Sequence, residues 1–276
     1  MSGVWKMLMV FAAAYAASLV LVFLLQPRLV YFPMQGRYST TPQARGLAFE
    51  RLTLPTDDGE QLAAWWIPAL ASVPAHGTVL LFHGNAGTIE HRIDYAAMFA
   101  AMGYHTLLVD YRGYGESSGS PSEQGTYRDA AASWRWLTQS RGVKPADIVL
   151  FGESLGGGVA TWLAAREQPR ALILASTFTS VPALGAQVYP WLPVRWLARI
   201  HYDNLANLER ISAPLLIAHS PADDIIPYAH GQRLYAAAQQ PKAMLDLAGG
   251  HNDGFVFMRE AWRHALREFL APYAQK

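Results

Sequence analysis

The chain has 276 residues, of which 51% are apolar, 12% aromatic and 16% charged, and its net charge is +1. That balance excludes a disordered chain, which is poor in aromatics and rich in charge, and a charge-driven nucleic-acid binder, which needs a basic surplus to displace counterions. The lack of cysteine excludes disulfide frameworks, Cys-ligated metal sites and thiol nucleophiles.

The N-terminal segment stands apart. Up to Gly46 the only charges are Lys6, Arg28, Arg37 and Arg45, and the first acid is Glu50, leaving 18 basic against 21 acidic residues in the remainder. Met7 to Leu25 is a charge-free run of 19 residues. As a helix it spans roughly 28 Å, close to the hydrocarbon thickness of a bilayer. A core helix of this length usually shows a polar face, and this run shows none. A cleaved signal peptide could end at Ala14-Tyr15-Ala16, but the apolar run continues nine residues further, too far for such a signal. The expectation is a retained transmembrane anchor over residues 1–26. Basic residues flank it on both sides, so the positive-inside rule leaves the orientation open. Residues 27–46, with Pro27, Pro33 and Pro42, read as an extended tether, with Leu29-Val30-Tyr31-Phe32 at the interface or docked on the domain.

Residues 47–276 read as one domain. Short apolar runs recur at 49–54, 62–67, 78–82, 106–109, 148–151, 171–175, 215–218 and 244–247. From the third run onward, helical patterns lie between most of them, at 89–102, 126–138, 155–167 and 228–238. A last helix over 254–270 places Phe255, Met258, Trp262, Ala265 and Phe269 on one stripe. Unbroken Val/Ile/Leu strands between helices predict an α/β fold, its mostly parallel sheet covered by helices on both faces. Asp57-Asp58-Gly59 between the first two runs predicts an antiparallel hairpin at its start. Trp65 and Trp66, consecutive on a strand, face opposite sides, so at most one can line a site. Sites in such sheets lie at the C-terminal ends of the strands.

Two stretches match G-x-S-x-G: Gly152-Glu153-Ser154-Leu155-Gly156 and Gly115-Glu116-Ser117-Ser118-Gly119. The first follows the run 148–151 and opens a helix, the strand–turn–helix setting that lifts a Ser above a sheet edge. The second runs into Gly119-Ser120-Pro121, a loop with no helix, so Ser154 is the candidate nucleophile. Gly156, Gly157 and Gly158 each cost about 1 kcal/mol of helix propensity, which points to close helix–strand packing beneath the turn.

A Ser hydroxyl needs an imidazole to take its proton. Of nine His, His251 follows the last strand in Gly249-Gly250-His251-Asn252-Asp253 and sits at the expected active edge. His264, His230, His91 and His76 read as surface residues, and His105 and His219 as satisfied core or edge residues. The orienting acid is expected in Pro221-Ala222-Asp223-Asp224-Ile225-Ile226-Pro227, where spacing alone leaves Asp223 and Asp224 open. The oxyanion of an acyl-transfer intermediate needs two N–H donors. Leu155 at the helix start supplies one; the loop His83-Gly84-Asn85-Ala86-Gly87 supplies the other, with Asn85 preferred and Ala86 second. No Lys-Ser/Thr follows that loop, no G-x-G-x-x-G occurs and no H-E-x-x-H is present, so no cofactor and no metal is expected.

These stretches, with Asp110-Tyr111-Arg112-Gly113-Tyr114-Gly115, occur in an order that resembles the α/β-hydrolase superfamily over roughly residues 47–272. Within it the chain is similar to the single-pass bud-emergence-type serine hydrolases and their α/β-hydrolase-domain-containing relatives. The resemblance implies an eight-stranded fold and a Ser/Asp/His triad. It selects Asp223, because the family's acid lies four residues before the proline that Pro227 matches, and it makes Asp110 part of a structural loop. Residues 176–204, with Phe178, Tyr189, Trp191, Trp196 and Tyr202, read as a short cap supplying an apolar pocket or as a helix packed on the sheet. The expected function is a membrane-anchored serine hydrolase of esters or thioesters with a small-molecule or lipid-like acyl substrate. A serine peptidase and a non-catalytic membrane scaffold are the alternatives. Oligomeric state is not legible.

Overall fold

The computed structural model describes residues 3–253 and 259–273. Eight strands form one sheet: β1 (Glu50–Pro55), β2 (Gln61–Ile67), β3 (Gly77–Phe82), β4 (Tyr104–Val109), β5 (Ile148–Glu153), β6 (Ala171–Ala175), β7 (Leu215–His219) and β8 (Lys242–Asp246). Their order is β1-β2-β4-β3-β5-β6-β7-β8. The first pairings, β1 with β2 and β2 with β4, are antiparallel and all later ones parallel. The hairpin follows from Asp57-Asp58-Gly59, with Gly59 at φ 92°. The central parallel strands β3, β5, β6 and β7 are apolar runs buried on both faces, and the edge strand β8 is only half-buried.

Alternate strand residues feed two cores. Leu80, Leu150 and Leu172 pack on one side with Val159 and Leu163 of the helix Leu155–Ala164. Val79, Leu81, Val149, Phe151 and Ile173 pack on the other with Phe99 and Leu266. Trp65 and Trp66 divide the same way, one in each core, and both are buried.

The N-terminal helix, Gly3–Val30, continues past residue 26 because the Pro27 carbonyl accepts the Tyr31 N–H at 2.9 Å and closes the last turn. The chain then runs against the globular body. Tyr31 is buried and its hydroxyl meets that of Tyr202 at 2.9 Å. Phe32–Pro33 pairs in parallel with Ala86–Gly87, and Gln35 bridges to Gly115. The final helix is described over Glu260–Leu270. Phe255 and Met258 of the expected stripe lie outside the described residues. The buried stripe is Trp262, Leu266 and Leu270, with Ala265 and Phe269 only half-buried, a rotation of about one position from the expected face.

Candidate active site

Ser154 sits in the turn between β5 and the helix Leu155–Ala164 at φ 53°, ψ −117°, a region that costs a non-glycine residue on the order of 1–3 kcal/mol. The neighbouring glycines make the turn possible. A Cβ on Gly152 would stand 2.7 Å from the Gly157 Cα, and one on Gly156 would strike the Phe82 carbonyl and lie 2.6 Å from that of His83. The turn is pinned by the Ser154 N–H on the Ala175 carbonyl (2.9 Å) and by the Thr177 hydroxyl on the Ser154 carbonyl (2.7 Å). Ser117 of the second match is buried in a loop instead. Its Oγ donates to the Asp110 carbonyl and accepts the Ala63 N–H.

His251 follows β8. Its Nε2 lies 3.1 Å from Ser154 Oγ, and its Nδ1 lies 2.8 Å from Asp223 Oδ2. Asp224 serves the same residue elsewhere, its Oδ1 accepting the His251 backbone N–H at 2.8 Å. Asp223 Oδ1 accepts the N–H groups of Ile225 and Ile226 at 3.0 and 2.8 Å. A second imidazole, His219 at the end of β7, places Nε2 3.4 Å from Asp223 Oδ2 and 2.8 Å from the Ile226 carbonyl. A carbonyl only accepts, so that nitrogen carries the proton. Burial opposes the charge on Asp223, but the donors from His219, His251 and Ile226 outweigh it and hold its carboxyl well below the usual carboxylate range.

The loop after β3 stands beside the nucleophile: a Cβ on Gly84 would lie 3.5 Å from that of Ser154. Asn85 commits its side-chain amide to the Val30 carbonyl (3.0 Å), and its own carbonyl accepts from the Phe32 N–H and the Tyr114 hydroxyl. These bonds fix the loop. His83 Nδ1 donates to the Gly84 carbonyl at 2.7 Å, and its Nε2 faces Asp110 Oδ1 at 3.2 Å. Asp110 also receives the Ile89 N–H and the Tyr38 hydroxyl. Leu155 opens the helix Leu155–Ala164, so its N–H is among those a helix start leaves without an intrahelical acceptor.

Sequence reading placed His230 on the surface, yet it is fully buried, its Nδ1 accepting the Thr179 N–H at 3.1 Å. Burial, with Arg233 nearby, pushes its imidazole down to about 4. His219 also had a larger part than its reading as a satisfied edge residue. The one available signal was its place at a strand's end, four residues before the acid. Of the aromatics in 176–204, Phe178 and Tyr202 belong to the core, whereas Tyr189, Trp191 and Trp196 are exposed. Among the described residues, no group of three His, Asp or Glu side chains is arranged to hold a metal ion.

Comparison with known proteins agrees with this architecture. Residues 73–205 match the family model for serine aminopeptidase, S33. The chain is 30% identical to the alpha/beta hydrolase domain-containing protein WAV2 of Arabidopsis thaliana, over 96% of this chain and 93% of that one. It is 36% identical to the lysophosphatidylserine lipase ABHD12 of Danio rerio, over 70% of this chain and 54% of that protein. The Pyrococcus furiosus esterase Pf2001 superposes with a TM-score of 0.74 at 21% identity, covering 89% of this chain and 99% of that one. The chain belongs to the α/β-hydrolase superfamily.

Proposed function

We propose that the chain is a membrane-anchored serine hydrolase that cleaves carboxylic esters or thioesters through an acyl-enzyme. Ser154 Oγ attacks the carbonyl carbon while His251 Nε2 takes its proton, and Asp223 holds the ring by Nδ1 and stabilises the imidazolium. The amides of Leu155 and Asn85 receive the developing oxyanion. His251 then protonates the leaving group, and a water activated by the same imidazole releases the acid. The observation that carries this reading is the continuous Ser154–His251–Asp223 contact at 3.1 and 2.8 Å. Lipase and esterase names among the relatives support an acyl ester as substrate. The apolar Gly3–Val30 helix supports a membrane anchor over residues 1–26, and residues 176–204 are proposed as a cap on a domain spanning 47–276.

The test is turnover of p-nitrophenyl esters of graded chain length by the full chain and by Ser154→Ala. Ester hydrolysis by the wild type alone supports the reading; equal rates overturn it. The serine aminopeptidase model matched over residues 73–205 favours a second reading, a peptidase, since triad and oxyanion hole serve amides too. Aminoacyl anilides hydrolysed in preference to every ester would establish that one instead.

A further inference from the structure

Three uncharged polar side chains, Tyr15, Ser18 and Gln26, lie in the N-terminal helix beyond Met7, and each has a partner inside the protein. Ser18 Oγ donates to the Tyr15 carbonyl within the helix. The Tyr15 hydroxyl donates to the Trp191 carbonyl at 3.0 Å. Gln26 is buried and grips two backbone groups, its Nε2 donating to the Leu197 carbonyl and its Oε1 accepting the Arg199 N–H, both at 2.7 Å. The Arg199 guanidinium lies 4.9 Å from the centre of the Phe23 ring. Residues 191–199 therefore run along the helix from Gln26 back to Tyr15, a separation of 11 residues. That is roughly 16 Å of helix, about the thickness of one leaflet's hydrocarbon.

The rest of this surface has the same character. On the helix only Leu19, Val22, Leu25, Gln26 and Val30 are covered or half-covered, and its other described residues are exposed. Tyr189, Trp191 and Trp196 are 47%, 66% and 91% exposed. Residues 177–202 contain no acid, and their formal charges are Arg195 and Arg199. Backbone groups at membrane depth need partners within the protein, and the Trp191 and Leu197 carbonyls have them. Aromatic rings flanked by Arg are the composition of a membrane–water interface.

We infer that the cap is seated in the same leaflet as the anchor, with Tyr189, Trp191 and Trp196 in lipid and Arg195 and Arg199 at the headgroups, so that the partner of this face is the bilayer itself. The inference rests on the anchored reading above, and its test separates the two.

The cysteine-free chain allows clean labelling. Trp196→Cys, Val10→Cys on the helix and the exposed Lys144→Cys each receive an NBD fluorophore on the full chain in phosphatidylcholine–phosphatidylglycerol vesicles carrying doxyl lipids. Each variant is first checked for an unchanged thermal unfolding midpoint. The expected result is a blue-shifted, quenched label at 196 and at 10, and neither effect at 144. A label at 196 that behaves like that at 144, while the one at 10 is quenched, overturns the cap placement and leaves the anchor. No quenching at 10 or 196 overturns both. Cross-linking between copies through position 196, without lipid quenching there, assigns this face to a second copy and overturns the proposal.

Discussion

Asp223 and Asp224 hold one histidine by different atoms. Asp223 Oδ2 meets the His251 ring at Nδ1, and Asp224 Oδ1 takes the His251 backbone N–H, both at 2.8 Å. One acid sets the ring's proton and orientation, and its neighbour sets the loop's position.

The two substitutions should therefore separate. Asp223→Asn leaves the shape but offers the ring the wrong partner, and a loss of about 10⁴ in kcat is expected. Asp224→Ala frees the loop only, and a displacement on the order of 1 Å costs at most about 10²-fold. Ester turnover of both variants checks the ordering; equal losses would contradict it.

In the proposed reaction His219 acts only through Asp223, whose Oδ2 lies 3.4 Å from its Nε2. A hydrogen bond to a carboxylate is worth about 1.5 kcal/mol or more, so His219→Phe is expected to lose about tenfold in kcat with KM unchanged. His219→Asn retains an N–H donor and should recover part of that loss. Steady-state kinetics of both variants provide the check, and equal activity for wild type and His219→Phe would remove His219 from the account.

His230 gives the fold a pH dependence of known sign. Its folded value, about 4, lies below its ordinary 6.5. Its buried neutral form thus contributes fully above pH 6.5, and the contribution is lost as pH falls from 6.5 toward 4. Thermal midpoints measured across that interval should decline, and His230→Gln should flatten the slope. A slope unchanged in the variant would assign the acid sensitivity elsewhere.

The turn beneath Ser154 tolerates no side chain at Gly156, because the obstacle there is the Phe82 and His83 backbone rather than a movable rotamer. Gly156→Ala is expected to destabilise by about 1–3 kcal/mol or more and to abolish turnover. Gly46→Ala, where a Cβ meets open space but φ is 69°, should cost less and leave turnover intact. Thermal unfolding of the two variants tests this.

How much of this was legible in sequence depended on how local each cause is. The α/β-hydrolase architecture was legible, because unbroken apolar strands, the Asp57-Asp58-Gly59 hairpin and the strand–Gly–Ser–helix turn are all written in neighbouring residues. Ser154 and His251 could be singled out by their positions at strand ends. Spacing left Asp223 and Asp224 open and only the family resemblance pointed to Asp223, since the difference depends on which way each side chain leaves a loop shaped by Ile225 and Ile226. The burial of His230 under Thr179 and the second imidazole on Asp223 come from tertiary packing, which periodicity does not encode. Trp191 and Trp196, read with 176–204 as a pocket-supplying cap or as a packed helix, are exposed, and composition alone does not say which surfaces stay uncovered.

The most direct measurement is the site of covalent modification by a fluorophosphonate, read by mass spectrometry of the full chain after proteolysis. A single adduct on Ser154 is expected, formed by the wild type and slowed in Asp223→Asn. An adduct on Ser117 or any other residue, or none on the folded protein, would contradict it.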